Sequence, residues 1–259
     1  MGFRETLFRR LGRAIYDYNM ISNNDKILIA FSGGKDSFTL LHSLNVMRKK
    51  APVNFDLFVC IVHSGFPGFD TKEIEEWLKT NSYDYRIEYS NIYKDVFCNP
   101  IKAKDGCFHC ARQRKSVLYR VAEETNCNKI ALGHHREDFI ESFFMSMMYN
   151  GIIETMLPIF DTKKHKFKVI RPLVYVSEAT TTTYALQNKF PVTHCYCPLH
   201  DRDTMRRKKI KKFLLEFEKN DIKGLKDNIF HSLTNISTKK ILDVRINQEL
   251  SNLIKRDNK

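Results

Sequence analysis

Long apolar runs are missing from this sequence, and so are low-complexity segments and internal repeats. Because a helix that crosses a membrane needs about 20 consecutive apolar residues, we expect no transmembrane helix and no membrane partner. The first residues also lack the apolar core of a secretory signal, which favours a cytoplasmic protein. Only 7 Pro and 10 Gly are present and 42% of the residues are hydrophobic, which argues against a disordered chain.

Acidic residues are too few to balance the basic ones. Lys and Arg number 43 against 30 Asp and Glu, which gives a formal net charge of +13. Such an excess attracts polyanions, so nucleic acid is the leading candidate partner. The alternative is that many lysines only solvate helix faces. With 259 residues, the chain can form one large α/β domain or a medium domain with a helical extension.

Segments of strand and helix character alternate after a leading amphipathic helix, which predicts an α/β fold with a doubly wound parallel sheet. We divide the chain into an N-terminal helix (1–24), a main domain (25–200) and a basic helical C-terminal extension (201–259). Residues 90–106 are expected to be a connection. The helix at 138–149 is rich in Phe and Met, which we expect to face the core. The predicted strands are 26–31, 55–62, 85–89, 129–132 and 167–173, and the other predicted helices are 3–20, 37–49, 71–81, 111–125 and 177–188.

A glycine pair follows the first predicted strand. Its N–H groups can approach an anion closely, and the positive end of the next helix faces the same point. Lys35 adds a cation, and Asp36 adds a carboxylate that can hold Mg²⁺ against phosphates. A plain Gly-Gly turn is common at strand ends, so the interpretation depends on six residues together. These resemble the PP-loop of the ATP pyrophosphatase superfamily, whose members cleave ATP between its α and β phosphates to adenylate a substrate. The six are Ser32, Gly33, Gly34, Lys35, Asp36 and Ser37.

A second polar cluster follows the fourth predicted strand. Ligands bind at the carboxyl edge of a doubly wound sheet, where this segment should lie. A single His there would usually be a packed core residue, but so many polar groups are costly to bury unpaired. We predict that Arg136 faces a phosphate and that Asp138 is a metal ligand or a base. Lys35, Asp36 and Asp138 are the predicted catalytic residues. Of this segment, we expect Gly133, His134 and Arg136 to bind ATP. The whole cluster is Gly133, His134, His135, Arg136, Glu137 and Asp138.

Seven cysteines are present, and an odd number in a chain without an export signal argues against structural disulfides. Cys107 and Cys110 form a C-x-x-C pair, and Cys195 and Cys197 form a second close pair. Close thiols of this kind suit a metal, a cluster or a redox pair. The alternative is that they are ordinary thiols. The cysteines without a close partner are expected in the core or without a role, and they are Cys60, Cys98 and Cys127.

Basic residues are concentrated beside both cysteine pairs. Phosphate contacts from such residues position an RNA, whereas recognition of an unpaired loop needs stacking on aromatic or Arg planes. Arg120 lies on the first of these helices. For the second basic block, residues 202–212, the alternative is a solvated helix face. The residues that we predict to bind tRNA are Arg112, Arg114, Lys115, Arg206 and Arg207.

In this order, the motifs resemble the bacterial tRNA 2-thiocytidine synthetases (tRNA-cytidine 2-sulfurtransferases), which thiolate a cytidine in the anticodon loop. The likeness covers nearly the whole chain and includes residues 131–136, 170–173 and 190–191. It implies Mg²⁺ and ATP at the PP-loop, tRNA on the basic face, and a [4Fe-4S] cluster on three cysteines with an iron open to sulfur. ATP would adenylate the oxygen on cytosine C2, and sulfur would displace AMP. A sulfur donor such as a cysteine desulfurase is a further expected partner, and a homodimer is one possible assembly.

Two positions depart from the family pattern. The family has C-x-x-C where this chain has a single residue between Cys195 and Cys197, so the third cluster ligand is one of these two. We favour Cys197, because Pro198 follows it. The paired Asp after the fourth strand is here Glu137 and Asp138, which keeps the charge and lengthens one side chain. We expect activity to be retained.

Other functions are weaker interpretations of the same motifs. A 2-thiouridine synthetase of the related type would carry extra Zn-binding cysteine pairs at its ends, which are not found here. A lysidine-forming ligase would not need the cysteines. A non-catalytic RNA-binding protein, with Zn²⁺ on the cysteines and a vestigial PP-loop, is opposed by the intact Lys35 and Asp36.

Overall fold

The computed structural model describes residues 3–162, 167–193, 196–197 and 206–248. The chain divides into two compact units, residues 1–209 and 210–259. All the strands of the described residues belong to the first unit. They are β1 Asp25–Phe31, β2 Phe55–His63, β3 Tyr85–Tyr89, β4 Lys129–Ala131, β5 Ile159–Asp161 and β6 Lys168–Ile170.

The strands form one six-stranded sheet in the order β3-β2-β1-β4-β6-β5. Five strands are parallel, as predicted, and the edge strand β5 pairs antiparallel with β6. The α/β fold is confirmed. β5 is not among the predicted strands, because its two apolar residues, Ile159 and Phe160, form neither a run nor a period. The strand order reverses between β1 and β4, which places the ligand-binding crevice of such a sheet at their carboxyl ends.

Helices connect most of the strands. The helix Lys35–Arg48 packs against the helix Glu178–Gln187. The first helix, Phe3–Asp17, packs against Glu178–Gln187 and against the 3-10 helix Pro172–Tyr175. The predicted amphipathic character of the first helix is confirmed, since Leu7, Leu11 and Ala14 are buried. The helices are α1 Phe3–Asp17, α2 Lys35–Arg48, α3 Lys72–Thr80, α4 Pro100–Ala103, α5 Gly106–Glu124, α6 Arg136–Asn150, α7 Glu178–Gln187, α8 Arg206–Asn220 and α9 Leu225–Leu233.

The main core lies between the sheet and α5. Leu28, Ile130 and Val169 from three adjacent strands pack there with Val121 of α5. Cys60 and Cys127 belong to the same core cluster, which confirms their assignment as core residues. Burial raises the pKa of the Cys60 thiol to about 12, so this thiol stays protonated and inert at neutral pH.

The segment before α5 is more ordered than we expected. Residues 90–106 contain a π-helical turn, Tyr93–Phe97, and the short helix α4, whose first N–H groups are capped by Asn99. α5 begins at Gly106, five residues before the predicted start at 111. The C-x-x-C pair therefore lies within the helix, where residues three apart share one face.

The Met- and Phe-rich part of α6 does not face the core, contrary to our prediction. The first half of the helix is buried through Phe139 and Ile140. Met148 and Tyr149 in the last turn are 57% and 42% exposed. The apolar composition misled because α6 extends beyond the core before it ends at Gly151, which has a left-handed backbone.

The second unit contains the rest of α8 from Ile210, α9 and the 3-10 helix Thr238–Lys240. Within it, Lys226 pairs with Glu218 at 2.8 Å. In the parts of the chain that the structure describes, no helix is both long and apolar enough to cross a membrane.

Candidate active site

A cavity of about 680 Å³ opens at the carboxyl edge of the sheet, beside the ends of β1 and β4. It brings together predicted residues from the phosphate-binding turn, the segment after β4, the basic helix α5 and the second cysteine pair. The predicted residues that line it are Ser32, Gly34, Asp36, Ser37, Arg114, Lys115, Gly133, His134, Asp138, Cys197 and Arg207. The other predicted residues that the structure describes lie outside its wall, and they are Gly33, Lys35, Cys107, Cys110, Arg112, Arg136 and Arg206.

The turn between β1 and α2 depends on its first glycine. Gly33 has φ +76°, and a Cβ there would lie 2.7 Å from Ile74 Cδ1 and closer still to Thr193 Oγ1. Thr193 N–H also donates to the Gly33 carbonyl at 3.0 Å. Ser37 Oγ donates to the Gly34 carbonyl at 2.8 Å, which closes the turn onto the start of α2. Only glycine satisfies both the backbone angle and the packing at position 33.

Lys35 and Asp36 are held together at the start of α2. Lys35 Nζ lies 2.8 Å from Asp36 Oδ2 and 3.6 Å from Glu178 Oε1. Thr181 Oγ1 donates to Asp36 Oδ1 at 2.5 Å. Sequence reasoning missed Glu178 and Thr181, because α7 follows the turn by about 140 residues and carries no spacing that points to the site. Their position is a consequence of the packing of α7 on α2.

Gly133 lets the segment after β4 approach α2 directly. A Cβ at Gly133 would lie 3.2 Å from both the carbonyl carbon and the carbonyl oxygen of Asp36. It would also lie 3.3 Å from the Ser37 nitrogen. The predicted ATP-binding residue Gly133 is therefore needed for close backbone packing at the cavity wall.

Glu137 is a buried junction between two elements. Its carboxylate accepts from Arg136 Nη2 at 2.8 Å and from the Glu178 backbone N–H at 2.7 Å, and it lies 3.3 Å from His135 Nδ1. Burial alone would raise the pKa of Glu137, but the His135 hydrogen bond and the Arg136 charge outweigh it and lower the pKa to about 2. Glu137 thus caps the first turn of α7, whose residues hold Lys35 and Asp36.

His135 is the other half of this pair. Burial favours its neutral form, but the Glu137 hydrogen bond and the charges of Asp138 and Asp36 prevail and raise the pKa of His135. Its Nε2 lies 3.9 Å from Asp36 Oδ2. The His135 imidazole therefore lies between carboxylates of the turn and of α6, which favour its charged form.

Asp138 joins the start of α6 to the cavity. Its carboxylate accepts from the His135 backbone N–H at 2.9 Å. Arg207 lies 3.7 Å from Asp138 Oδ1 and 3.5 Å from Glu141 Oε2. Asp138 is thus fixed within the wall by a helix cap and an ion pair, and it lines the cavity as predicted.

The pKa of His134 is shifted in the opposite direction to that of His135. Burial and the positive charge of Arg171 lower the pKa of His134 to about 4, against the opposite effect of Asp138. Arg171 Nε donates to His134 Nδ1 at 3.2 Å. The imidazole is therefore neutral at pH 7 and carries its proton on Nε2. Arg171 also lines the cavity, which its place in the predicted strand 167–173 does not indicate.

The cysteines of the two pairs lie in different environments. Cys197 is half-buried and lines the cavity, whereas Cys195 lies outside the described residues. Cys110 is buried and accepts a hydrogen bond at 3.5 Å from Arg114, a residue of the wall. Cys107 is exposed on the same helix. In the described part of the chain, no three Cys, His, Asp or Glu side chains are grouped closely enough to hold a metal ion.

The predicted RNA-binding residues are placed on two helices. Lys115 on α5 lies over the Tyr119 ring at 5.2 Å, and both line the cavity. Arg206 on α8 lies over the Tyr149 ring at 4.5 Å. Arg120 is paired with Glu88 and Glu124.

Comparisons with known proteins identify the family of the chain. Residues 4–216 match a family described as a PP-loop domain. The chain is 37% identical to the tRNA-cytidine(32) 2-sulfurtransferase of Geobacter metallireducens, over 90% of each chain. It is 40% identical to the protein of the same name from Janthinobacterium sp. (strain Marseille), over 92% of this chain and 74% of the other.

A solved structure supports the fold. The U34-tRNA thiolase NcsA from Methanococcus maripaludis, solved with its [4Fe-4S] cluster, superposes with a TM-score of 0.72 at 23% identity. The match covers 91% of this chain and 80% of that one. From the PP-loop match and the extent of the sequence identity, the chain belongs to the tRNA-cytidine(32) 2-sulfurtransferase family of PP-loop enzymes.

Proposed function

We propose that this enzyme forms 2-thiocytidine at position 32, in the anticodon loop of tRNA, by adenylating the base and transferring sulfur to it. One observation carries the proposal. The phosphate-binding turn and Cys197 line the same cavity, so ATP-dependent activation and thiol chemistry can act on one substrate. The neighbouring Arg114 and Lys115 supply the positive charge that an RNA backbone needs.

The reaction needs two displacements. In the first, the oxygen on cytosine C2 attacks the α phosphorus of ATP, which forms an O-adenylated base and releases pyrophosphate. In the second, a sulfur nucleophile adds to C2 and the C2–O bond breaks, so that AMP leaves with the former base oxygen. We propose that the sulfur comes from a donor such as a cysteine desulfurase, whose persulfide is reduced by a thiol to sulfide while that thiol becomes part of a disulfide. The two-step route replaces a poor leaving group with a good one.

The turn supports the first displacement. The N-terminus of α2 and the Lys35 ammonium supply positive charge where negative charge develops on departing pyrophosphate. Glu178 and Thr181 hold Lys35 and Asp36 in place before the substrate binds. Asp36 is the residue that would hold Mg²⁺, which neutralises phosphate charge when it is bound.

The segment after β4 supports the orientation of the base. The neutral His134, with its proton on Nε2, is a hydrogen-bond donor in the cavity wall. Asp138 is a hydrogen-bond acceptor in the same wall and can take the proton of the sulfur nucleophile in the second displacement. Arg136, which is bonded to Glu137, supports the shape of this segment.

The cysteines present a suitable donor set for an iron–sulfur cluster. Cys107 and Cys110 lie one helical turn apart on α5, and Cys197 lies at the cavity. We propose that Cys107, Cys110 and one of Cys195 and Cys197 hold a [4Fe-4S] cluster. Such a cluster leaves one iron without a protein ligand, and when bound it supplies a site for sulfide.

Complementation of a bacterial strain that lacks its own 2-thiocytidine enzyme tests the function. Mass spectrometry of tRNA nucleosides should detect 2-thiocytidine with the wild-type gene and none with Lys35→Ala or Cys107→Ala. Cys98→Ala is the matched control, because Cys98 is an exposed cysteine outside both pairs and its loss should change nothing. Appearance of 2-thiouridine instead would favour the alternative thiolase function.

Anaerobic purification tests the cluster independently of activity. The wild-type protein should be brown, with a broad absorption band at about 400 nm. Cys195→Ala and Cys197→Ala, made separately, identify the third ligand, since only one of them should lose the band. A colourless protein that holds Zn²⁺ would contradict the cluster and support an RNA-binding protein with a structural metal. The homodimer stays a prediction.

A further inference from the structure

Four aromatic rings form a continuous row along the carboxyl edge of the sheet. The centroid of the His63 ring lies 5.0 Å from that of Tyr89 and 4.9 Å from that of Phe69. The Phe69 centroid in turn lies 5.7 Å from the Tyr196 centroid. His63 ends β2 and Tyr89 ends β3, and the two are register partners. We refer to these four residues as the aromatic row.

Hydrogen bonds of the His63 carbonyl and of the His63 imidazole hold the aromatic row in place. The His63 carbonyl accepts from the Ser90 N–H at 2.9 Å. The His63 imidazole bonds the Gly65 N–H at 3.3 Å and the Phe69 carbonyl at 3.1 Å, and one tautomer satisfies both bonds. The row is therefore prepared before any partner binds, which lowers the entropy cost of binding.

The far end of the row reaches the cavity. Phe69 and Tyr196 both line it, and Tyr196 immediately precedes Cys197. Gly68, at φ +80°, brings the loop close to the ring, since a Cβ there would lie 3.4 Å from Tyr196 Cε1. The chain thus places an aromatic ring directly beside one of the candidate cluster cysteines.

Exposure and charge indicate what the row binds. Its two ends are open to solvent, with Tyr89 72% and Tyr196 40% exposed, so they are not core residues. The adjoining cavity wall carries more cationic than carboxylate side chains. The cations are Arg114, Lys115, Arg171 and Arg207, and the carboxylates are Asp36 and Asp138. Flat exposed rings beside positive charge suit unpaired nucleotides, whose bases stack and whose phosphates are anionic.

We propose that the aromatic row stacks the unpaired bases of an RNA loop next to the reacting cytidine, with Tyr196 nearest the cavity and Tyr89 at the outer end. The inference rests on the proposed function, because it assigns the surface that holds the loop of that substrate. A base inside a duplex has no free face for an exposed ring, so the row selects loops over stems.

Binding of a fluorescent anticodon stem–loop RNA, followed by anisotropy, tests the row. Loss of one stacking ring should raise the dissociation constant about 5- to 150-fold, so we expect this range for Tyr89→Ala and for Tyr196→Ala. Tyr89→Phe and Tyr196→Phe keep the ring and should stay within about twofold of the wild type. A fully paired RNA of the same length should bind all five proteins equally.

The controls separate this inference from the function. If the wild type forms 2-thiocytidine while Tyr89→Ala and Tyr196→Ala bind the loop like the wild type, the aromatic row is overturned and the function stands. If the wild type forms none but loop binding still depends on the two rings, the function fails and the row stands. Equal weakening of loop and duplex binding by the Ala variants also overturns the row. The ATP affinity of Tyr89→Ala reports the fold and should be unchanged, because Tyr89 lies outside the cavity wall. The same exposed residue decides the outcome if Tyr196→Ala is unfolded.

Discussion

Glu137 connects the segment after β4 with the residues that hold the phosphate-binding turn. Its carboxylate bonds Arg136 and the first N–H of α7, while Glu178 and Thr181 of α7 bond Lys35 and Asp36. The longer side chain noted at this position in the sequence thus has an identified set of partners. A carboxylate that accepts charge-assisted bonds in a buried site contributes more than an exposed one.

Replacement of Glu137 should therefore destabilise the protein in a pH-dependent manner. Glu137→Gln should cost about 1–3 kcal/mol of unfolding free energy at pH 7, measured by urea denaturation. Because its folded-state pKa is about 2 against a usual 4.5, this contribution is complete above pH 4.5 and is lost as the pH falls towards 2. The difference between wild type and variant should shrink over that range.

Glu76→Gln is the control for this effect, since Glu76 lies exposed on α3. It should leave the unfolding free energy unchanged at every pH. The raised pKa of His135 acts in the opposite direction, because its contribution is complete below its usual value of 6.5 and is lost as the pH rises through the folded-state pKa. A pH-independent cost of Glu137→Gln would contradict the assignment.

Gly33 is the second residue whose replacement has a defined cost. Gly33→Ala combines a left-handed backbone with a steric conflict against Ile74 and Thr193. Gly151 has φ +67° and open space around its Cα, so Gly151→Ala carries only the backbone cost of about 1–2 kcal/mol. Gly33→Ala should lose more stability and also weaken ATP binding, measured by calorimetry. Equal stability losses and equal ATP affinities would show that the packing at Gly33 has no role.

Among the elements, those with long regular patterns were predicted well. β1, β2 and β4 are apolar runs bounded by turns, and a sequence pattern of that kind is sufficient. β5 has only two apolar residues, and the start of α5 at Gly106 follows a stretch without apolar periodicity, so neither could be predicted. The exposed end of α6 failed for a different reason, since apolar composition does not indicate where a core ends.

The site was predictable to a similar depth. The turn and the segment after β4 were found because each is contiguous in sequence and lies at a strand end. Glu178 and Thr181 were not found, because only tertiary packing brings them to the turn. Arg171 was not found, because only packing brings it to His134. The aromatic row was also missed, since its members come from three separate segments.

β1 and β4 are further linked at their amino ends by a buried ion pair. Lys129 Nζ lies 2.5 Å from Asp25 Oδ2, with side chains 7% and 5% exposed. Lys129→Met should cost about 3–5 kcal/mol, because it leaves a buried carboxylate without its cation. Lys168→Met removes a 3.5 Å pair with Asp161 that is 50% and 78% exposed, and should cost at most about 1 kcal/mol. Urea denaturation of both variants measures the difference, and similar costs would contradict the burial argument.

For the whole molecule, the net charge of +13 predicts RNA binding that weakens steeply with salt. Lys115 lines the cavity, whereas Arg120 on the same helix is neutralised by Glu88 and Glu124. Lys115→Ala should reduce the slope of log Kd against log salt by about one unit, and Arg120→Ala should leave it unchanged. Anisotropy titrations over a series of salt concentrations measure both slopes. A larger effect of Arg120→Ala would place the RNA on a different face of α5.

We propose that one cavity of this enzyme couples ATP cleavage to sulfur transfer onto a tRNA cytidine. The most direct test incubates the anaerobically purified protein with unmodified tRNA, ATP and sulfide, and quantifies nucleosides and nucleotides by liquid chromatography and mass spectrometry. We predict 2-thiocytidine, AMP and pyrophosphate in equal amounts, and none of the three with Lys35→Ala. Sulfur incorporation without AMP release, or AMP release without any thiolated cytidine, would contradict the account.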